Sequence, residues 1–287
     1  MFTCLAPGAI GIRGLALPAA IALARESGFA GLAFDIKEAA ESAAAQGAPA
    51  LRALFADAGI TPGYWGLPVA WRDDAERWQA DLKALPALAS VARELGCDRA
   101  TTVMQPGSNE RAYDENFAWH VERLRPVATA LRDAGCRLGI EYIGPRTFRQ
   151  KFRHEFIYDL KGLLDLAAAI GTGNVGVLLD AWHLYTSGGT AADLTRLTAR
   201  DVVAVHVNDA PAGIARDDQI DTVRALPLET GVMDLAGFMG QLRAIGYDGP
   251  VTPEPFSQRL NDLAVHDPLG AAREAERTTA ALWSLGG

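Results

Sequence analysis

Residues 176–189 read GVLLDAWHLYTSGG. An apolar run from Val175 to Leu179 passes directly into Asp180, and His183 follows three positions later. A run of this kind, rich in Val and Leu, suits a strand buried on both faces, as in a parallel sheet. A carboxylate and an imidazole at the exit of such a strand need partners. They can cap the next element or hold a ligand. Seven more short apolar or β-rich runs lie outward from this one. They fall at 2–6 (FTCLA), 31–35 (GLAFD), 60–65 (ITPGYW), 99–104 (RATTVM), 137–142 (RLGIEY), 202–207 (VVAVHV) and 250–254 (PVTPE). Helical patterns fill the gaps, for instance Ala75 to Leu95 and Phe117 to Ala134. The Ala-rich run from Glu38 to Ala50 reads as helix ending near Gly47 and Pro49. The segments ESGFAG, DAGITPG, ELGCDRA, DAGCRLG and AIGYDGP each read as a helix closed by Gly, then a strand.

Eight strand–helix units in 287 residues predict an α/β fold. The arithmetic is that of a single (β/α)8 TIM barrel domain over residues 1–287, with its active site at the C-terminal ends of the strands. A doubly wound open sheet is the competitor. It usually carries a G-x-G-x-x-G loop after the first strand, and APGAIGIRG at that place does not fit.

Composition narrows the function. Net charge is −8, from 27 basic and 35 acidic residues, so nucleic acid and anionic lipid are disfavoured partners. The longest early apolar piece, Gly14 to Ala24, is too short to span a bilayer and lacks the flanks of a signal peptide. Cys4, Cys97 and Cys136 are an odd, widely spaced set with no C-x-x-C, which suggests a reducing, cytoplasmic compartment.

The ends of the last four runs carry the chemistry. The fifth ends in Glu141, the sixth in Asp180, the seventh carries His206 and the eighth ends in Glu254. In a barrel all four face one mouth. Three carboxylates there repel each other unless protons or a cation intervene. Three oxygen ligands and one imidazole suit one divalent ion, Mn²⁺ or Mg²⁺ ahead of Co²⁺ or Zn²⁺. Taken singly, an Asp after a strand is more often a helix N-cap, and a Glu an ion-pair partner. Their joint placement at successive strand ends is what points to a metal. His120, within the helical run FAWHVERL, reads as structural.

The motifs IEYIG, LLDAWH, VHVND, RALPLETGVMDL and GYDGPVTPEPF resemble the xylose-isomerase-like TIM-barrel superfamily. Its inosose-isomerase-like members share D-x-x-H, here Asp180 and His183. The resemblance implies that Glu141, Asp180, His206 and Glu254 bind one divalent metal, and that Glu141 and Glu254 carry acid/base work. It also implies substrate contacts from His183 and from an arginine after the seventh strand, Arg224 or alternatively Arg216. The pattern departs at Pro227-Leu228-Glu229-Thr230-Gly231, where Leu replaces the first Gly of a Pro-Gly-Glu-Gly loop. The related AP endonucleases carry extra zinc-binding histidines. The third run here ends in Tyr64-Trp65 and the fourth in Met104-Gln105, with no histidine at either.

The reading that follows is a metal-dependent isomerase or epimerase of a ketose, keto-cyclitol or related small sugar. A proton is taken next to a carbonyl, and the metal stabilises the enediolate. Loss of a β-hydroxyl from the same intermediate would make the protein a lyase. A non-catalytic sugar-binding subunit is the third option. Trp65, Trp71 and Trp182 near strand ends are candidates for stacking on a sugar ring, with packing the equal alternative. Gln105 at the end of the fourth run is a further candidate contact. The segment GPRTFRQKFRHEF places Arg146, Arg149, Lys151, Arg153 and His154 in a local basic lid for a phosphate or carboxylate, or in a solvated loop. Relatives with this fold often form dimers or tetramers, so a homo-oligomer is compatible by analogy alone.

Overall fold

The computed structural model describes residues 1–285; Gly286 and Gly287, the last two of the expected domain, lie outside the described residues. Eight parallel strands close on themselves: β1 (Phe2–Leu5), β2 (Gly31–Phe34), β3 (Thr61–Gly66), β4 (Arg99–Val103), β5 (Arg137–Glu141), β6 (Val175–Asp180), β7 (Val202–Val207) and β8 (Pro250–Pro253). Each pairs with the next in sequence. The ring closes where Phe2 and Thr3 of β1 face Pro250 and Val251 of β8. Every sequence run matches one of these strands, and the ends differ by at most one residue.

Strand parity sorts the side chains into two layers. Cys4, Tyr64, Leu178 and Ala204 form a small cluster inside the barrel, with Phe2 and Ala33 against it. Their chain neighbours Leu5, Trp65, Leu179 and Val205 belong to the larger cluster between strands and helices. All six residues of β7 are buried, as a strand with helices outside and a filled barrel inside requires.

Helices occupy the gaps as expected. Ala75–Glu94 and Tyr113–Asp133 carry Pro86 and Pro126 without ending there. The Ala-rich segment is two helices, Ile36–Gln46 and Ala48–Ala58, broken at Gly47 and restarted by Pro49 in the first turn. Asp35 caps the first through Lys37 N and Glu38 N. Gly28, Gly59, Gly96, Gly135 and Gly246, which follow helices in the five repeated segments, all have positive φ. A two-stranded antiparallel ribbon, Gly107–Ser108 with His154–Glu155, lies outside the barrel. The three cysteines are buried and free. Among the described residues, no helix is long and apolar enough to cross a membrane.

The β6–β7 connection is short, a six-residue helix Ala181–Thr186 and a 3₁₀ turn Ala191–Arg196. After β7 the chain runs without regular helix, apart from a 3₁₀ turn at Arg216–Asp218, until Asp234 caps Leu235–Ala244. That long loop lies at the C-terminal end of the barrel, where the four candidate ligands converge.

Candidate metal centre at the barrel mouth

Glu141 and Asp180 are the last residues of β5 and β6, His206 is the fifth residue of β7, and Glu254 directly follows β8. One ligand atom from each lies within 4.8 Å of every other, which makes this a group that could hold a metal ion. The strands fix these positions by backbone hydrogen bonding. Asp180 pairs directly with His206 across the β6–β7 ladder.

His206 sits at the centre. Its Nδ1 is 3.3 Å from Glu141 Oε1 and 3.5 Å from Glu254 Oε2. Its Nε2 lies 2.9 Å from the Tyr64 hydroxyl. Glu141 Oε1 and His206 Nδ1 are both buried without a properly directed hydrogen-bond partner. Leaving two facing polar atoms buried and unpaired is costly unless something sits between them. A cation accepting both lone pairs would satisfy them, and three carboxylates with one imidazole are a suitable donor set. The four candidate ligands therefore fit a divalent metal.

Charge is arranged asymmetrically. Burial pushes the Glu141 carboxyl above its usual range, despite the pull of His206. Burial opposes ionisation of Glu254 too, but His206 and Arg224 outweigh it and hold its pKa down. Burial also works against the His206 imidazolium, yet Tyr64, Glu254 and Glu141 hold its proton well above the normal histidine range.

Arg224 enters the same space from the long loop. Its Nη1 donates to Asp180 Oδ2 and to Glu254 Oε2, both at 2.8 Å. Asp221 holds the other side of the guanidinium through its carbonyl oxygen at 2.8 Å and its carboxylate at 3.1 Å. The Trp182 and Phe256 rings lie 5.2 and 4.6 Å from the guanidinium carbon. Removing one member of so buried a pair typically costs about 3–5 kcal/mol.

Asp180 answers both readings of its position. Its Oδ1 caps the following helix by accepting from Trp182 N at 2.8 Å, and accepts from Asn208 Nδ2 at 3.0 Å. Its Oδ2 faces the cluster. His183 is fully buried beneath it. The Gly144 N–H donates to His183 Nδ1 at 3.2 Å, so a neutral ring carries its proton on Nε2, 3.7 Å from Asp180 Oδ2. A side chain at Gly144 would collide with the His183 carbonyl oxygen, which explains the glycine.

The remaining sequence candidates fall elsewhere. Trp65 points outward into the strand–helix layer, and it is Tyr64 beside it that reaches the cluster. Trp71 is buried too, donating to Thr102 Oγ1 at 3.1 Å. Gln105 is half-buried just past β4 and makes none of the cluster's contacts. His154 is half-buried in the small ribbon opposite Ser108. In the basic segment, Arg146 pairs with Asp217 at 3.1 Å and Arg149 with Glu155 at 2.7 Å, so part of that charge is already neutralised. Arg216 lies in a 3₁₀ turn beside Asp217 and does not enter the cluster. His120 is structural as expected: its Nδ1 lies 2.7 Å from Asn116 O, and its ring packs on Trp71, Trp119 and Phe156.

Tyr64, Asn208 and Asp221 were not singled out by residue type, although Tyr64 and Asn208 stand inside quoted segments. Asp209, next to Asn208, ties the long loop down by accepting from the backbone N–H groups of Thr230, Gly231 and Met233. At the departure from the loop pattern, Leu228 takes φ 66°, the conformation a glycine would adopt without strain.

The chain belongs to the xylose isomerase-like TIM barrel family, whose model matches residues 21–281. A xylose isomerase domain protein from Alicyclobacillus acidocaldarius superposes with a TM-score of 0.87 at 30% identity, covering 99% of each chain. An inosose isomerase from Bacillus licheniformis is 23% identical over 158 residues, 54% of this chain and 52% of that protein. A 3-dehydroshikimate dehydratase from Pseudomonas aeruginosa is 31% identical over 184 residues, 63% of this chain and 27% of that protein. The match thus spans about half the length of the inosose isomerase and about a quarter of the dehydratase.

Proposed function

We propose that this protein is a divalent-metal-dependent enzyme that moves a proton next to the carbonyl of a small sugar or cyclitol, as an isomerase or epimerase. The observation that carries the reading is the facing pair Glu141 Oε1 and His206 Nδ1, 3.3 Å apart, buried and without directed partners, inside a cluster of three carboxylates and one imidazole. Glu141, Asp180, His206 and Glu254 would hold the ion, with Mn²⁺ or Mg²⁺ favoured by the oxygen-rich set. A bound divalent ion supplies Lewis-acid polarisation of a carbonyl oxygen.

Glu141 and Glu254 flank the same ring nitrogen from different strands. One removes the proton beside the carbonyl and the other returns it, on the opposite face for epimerisation or on the adjacent carbon for isomerisation. Arg224 and His183 orient substrate oxygens from the loop side. Gln105 and His154 would meet only distal parts of a substrate, and Trp65, packed between strands and helices, would support the barrel wall without touching it. The relatives that act on inosose support the cyclitol class. A lyase reading is favoured by one observation: the dehydratase aligns at higher identity than the inosose isomerase does. We place the protein in a reducing cytoplasm, which suits three buried free thiols.

The test is solvent exchange. The Mn²⁺-loaded protein is incubated in D₂O with ketoses, inososes and 3-keto-glucosides and followed by proton NMR. Stereospecific deuterium uptake beside the carbonyl is expected, and the products separate epimerisation, isomerisation and elimination. No uptake across the panel, with metal shown to be bound, withdraws the acid/base assignment.

A further inference from the structure

We propose that Tyr64 is a positioning residue that presents His206 Nδ1 to the metal, resting on the metal reading above. The phenol is delivered by β3, on the opposite side of the barrel from β7, and is 2.9 Å from His206 Nε2. It is the one polar side chain in the small interior cluster apart from the Cys4 thiol. Imidazole can coordinate through one nitrogen only if that nitrogen is bare, so the other must carry the proton and needs an acceptor. Nδ1 faces Glu141 and Glu254, which leaves Nε2 as the protonated atom. Tyr64 is the hydrogen-bond partner that Nε2 has. The phenol oxygen therefore accepts from Nε2–H. The Thr252 hydroxyl, buried and lacking a directed partner, neighbours both Tyr64 and Cys4 and lies in register with His206.

The phenol also fixes the ring plane. The Tyr64 and His206 rings are 5.8 Å apart at 49°, and rotation of the imidazole would break the hydrogen bond. Partners of this kind typically account for about 10–100-fold in metal affinity.

Tyr64→Phe removes one oxygen and keeps the ring, so packing is retained. The measurement is Mn²⁺ affinity by calorimetry on the wild type and Tyr64→Phe, with thermal unfolding of both metal-free proteins as a check. Histidine ¹⁵N shifts of the Zn²⁺-loaded proteins report the tautomer. The expected result is Mn²⁺ affinity about 10–100-fold weaker in the variant, unfolding temperatures close together, and an Nε2-protonated His206 in the wild type. Equal affinity in the two proteins overturns the role of Tyr64 and leaves the metal reading intact. An Nδ1-protonated His206 in the loaded wild type does the same. Failure of the wild type to bind Mn²⁺, Mg²⁺, Co²⁺ or Zn²⁺ overturns the metal reading and the role of Tyr64 with it.

Discussion

The two halves of the barrel are built alike and used differently. The ends of β5 to β8 supply Glu141, Asp180, His206 and Glu254. The ends of β1 to β4 supply Leu5, Phe34, Gly66 and Val103, with Asp35 spent on capping a helix. One side carries charge that would repel itself without a counter-ion, and the other is largely apolar wall. Tyr64 is the exception that crosses from the wall to the charge. A closed barrel lets this happen because interior side chains from opposite strands meet at the axis.

The largest expected effect separates the halves by chemistry. Glu254→Gln should lower turnover, or deuterium uptake on whichever substrate responds, by about 10²–10⁴-fold. Its unfolding temperature should fall as well, since the amide keeps the shape but not the charge that faces Arg224, so turnover is compared below the variant's unfolding transition. Unchanged turnover would mean that Glu254 is a ligand or a spectator and not the base.

On the wall side the expectation inverts. Trp65→Ala should cost about 3–5 kcal/mol in chemical denaturation, because a large outward-facing core side chain is lost. Metal affinity measured on the folded fraction should change little. A large loss of affinity with little loss of stability would show that the division between wall and charge is drawn in the wrong place.

A third test uses pH away from the cluster. Burial pushes His120 down to about 4, so it stays neutral in its aromatic cage. The unfolded chain takes up that proton first as pH falls. Its contribution to stability is therefore whole above about pH 6.5 and declines towards pH 4, by at most roughly 3 kcal/mol. His120→Gln should flatten that part of the stability–pH curve. An unchanged slope would assign the acid sensitivity to other groups.

The smallest effect is in the long loop. Leu228 is partly exposed and holds φ 66°. Leu228→Gly should relieve the left-handed penalty of about 1–2 kcal/mol and lose some of it to chain entropy, for a net gain below about 1 kcal/mol. A destabilised variant would show that the Leu228 side chain packs against something that outweighs its strain.

What could be read in advance follows from how each signal arises. Strands such as VVAVHV and VGVLLD were legible because burial on both faces leaves an unbroken apolar run. Four metal-type residues at successive strand ends were legible because each is costly to bury alone. Tyr64 was not, since Tyr and Trp in TPGYW are equally suited to a core, and only the register shows that the first points inward. Arg224 came from resemblance, and nothing in DTVRALP announces a guanidinium that reaches two carboxylates. The ribbon of Gly107–Ser108 and His154–Glu155 is too short to leave a periodicity. His154, which the sequence offers as part of a basic lid, sits within that pairing.

The bridge made by Arg224 has a consequence for the order of events in the life of the chain. Two of the three carboxylates already have a cationic neighbour supplied by the polypeptide itself. A newly made molecule need not wait for an ion before closing its barrel, because its most repulsive pair is held by its own loop. Loading on the proposed reading would be an exchange in which guanidinium and ion contend for the same oxygens, while Asp221 keeps the hold it already has on the arginine. On that reading assembly would be uncoupled from supply, and scarcity of the ion would leave an intact but idle protein.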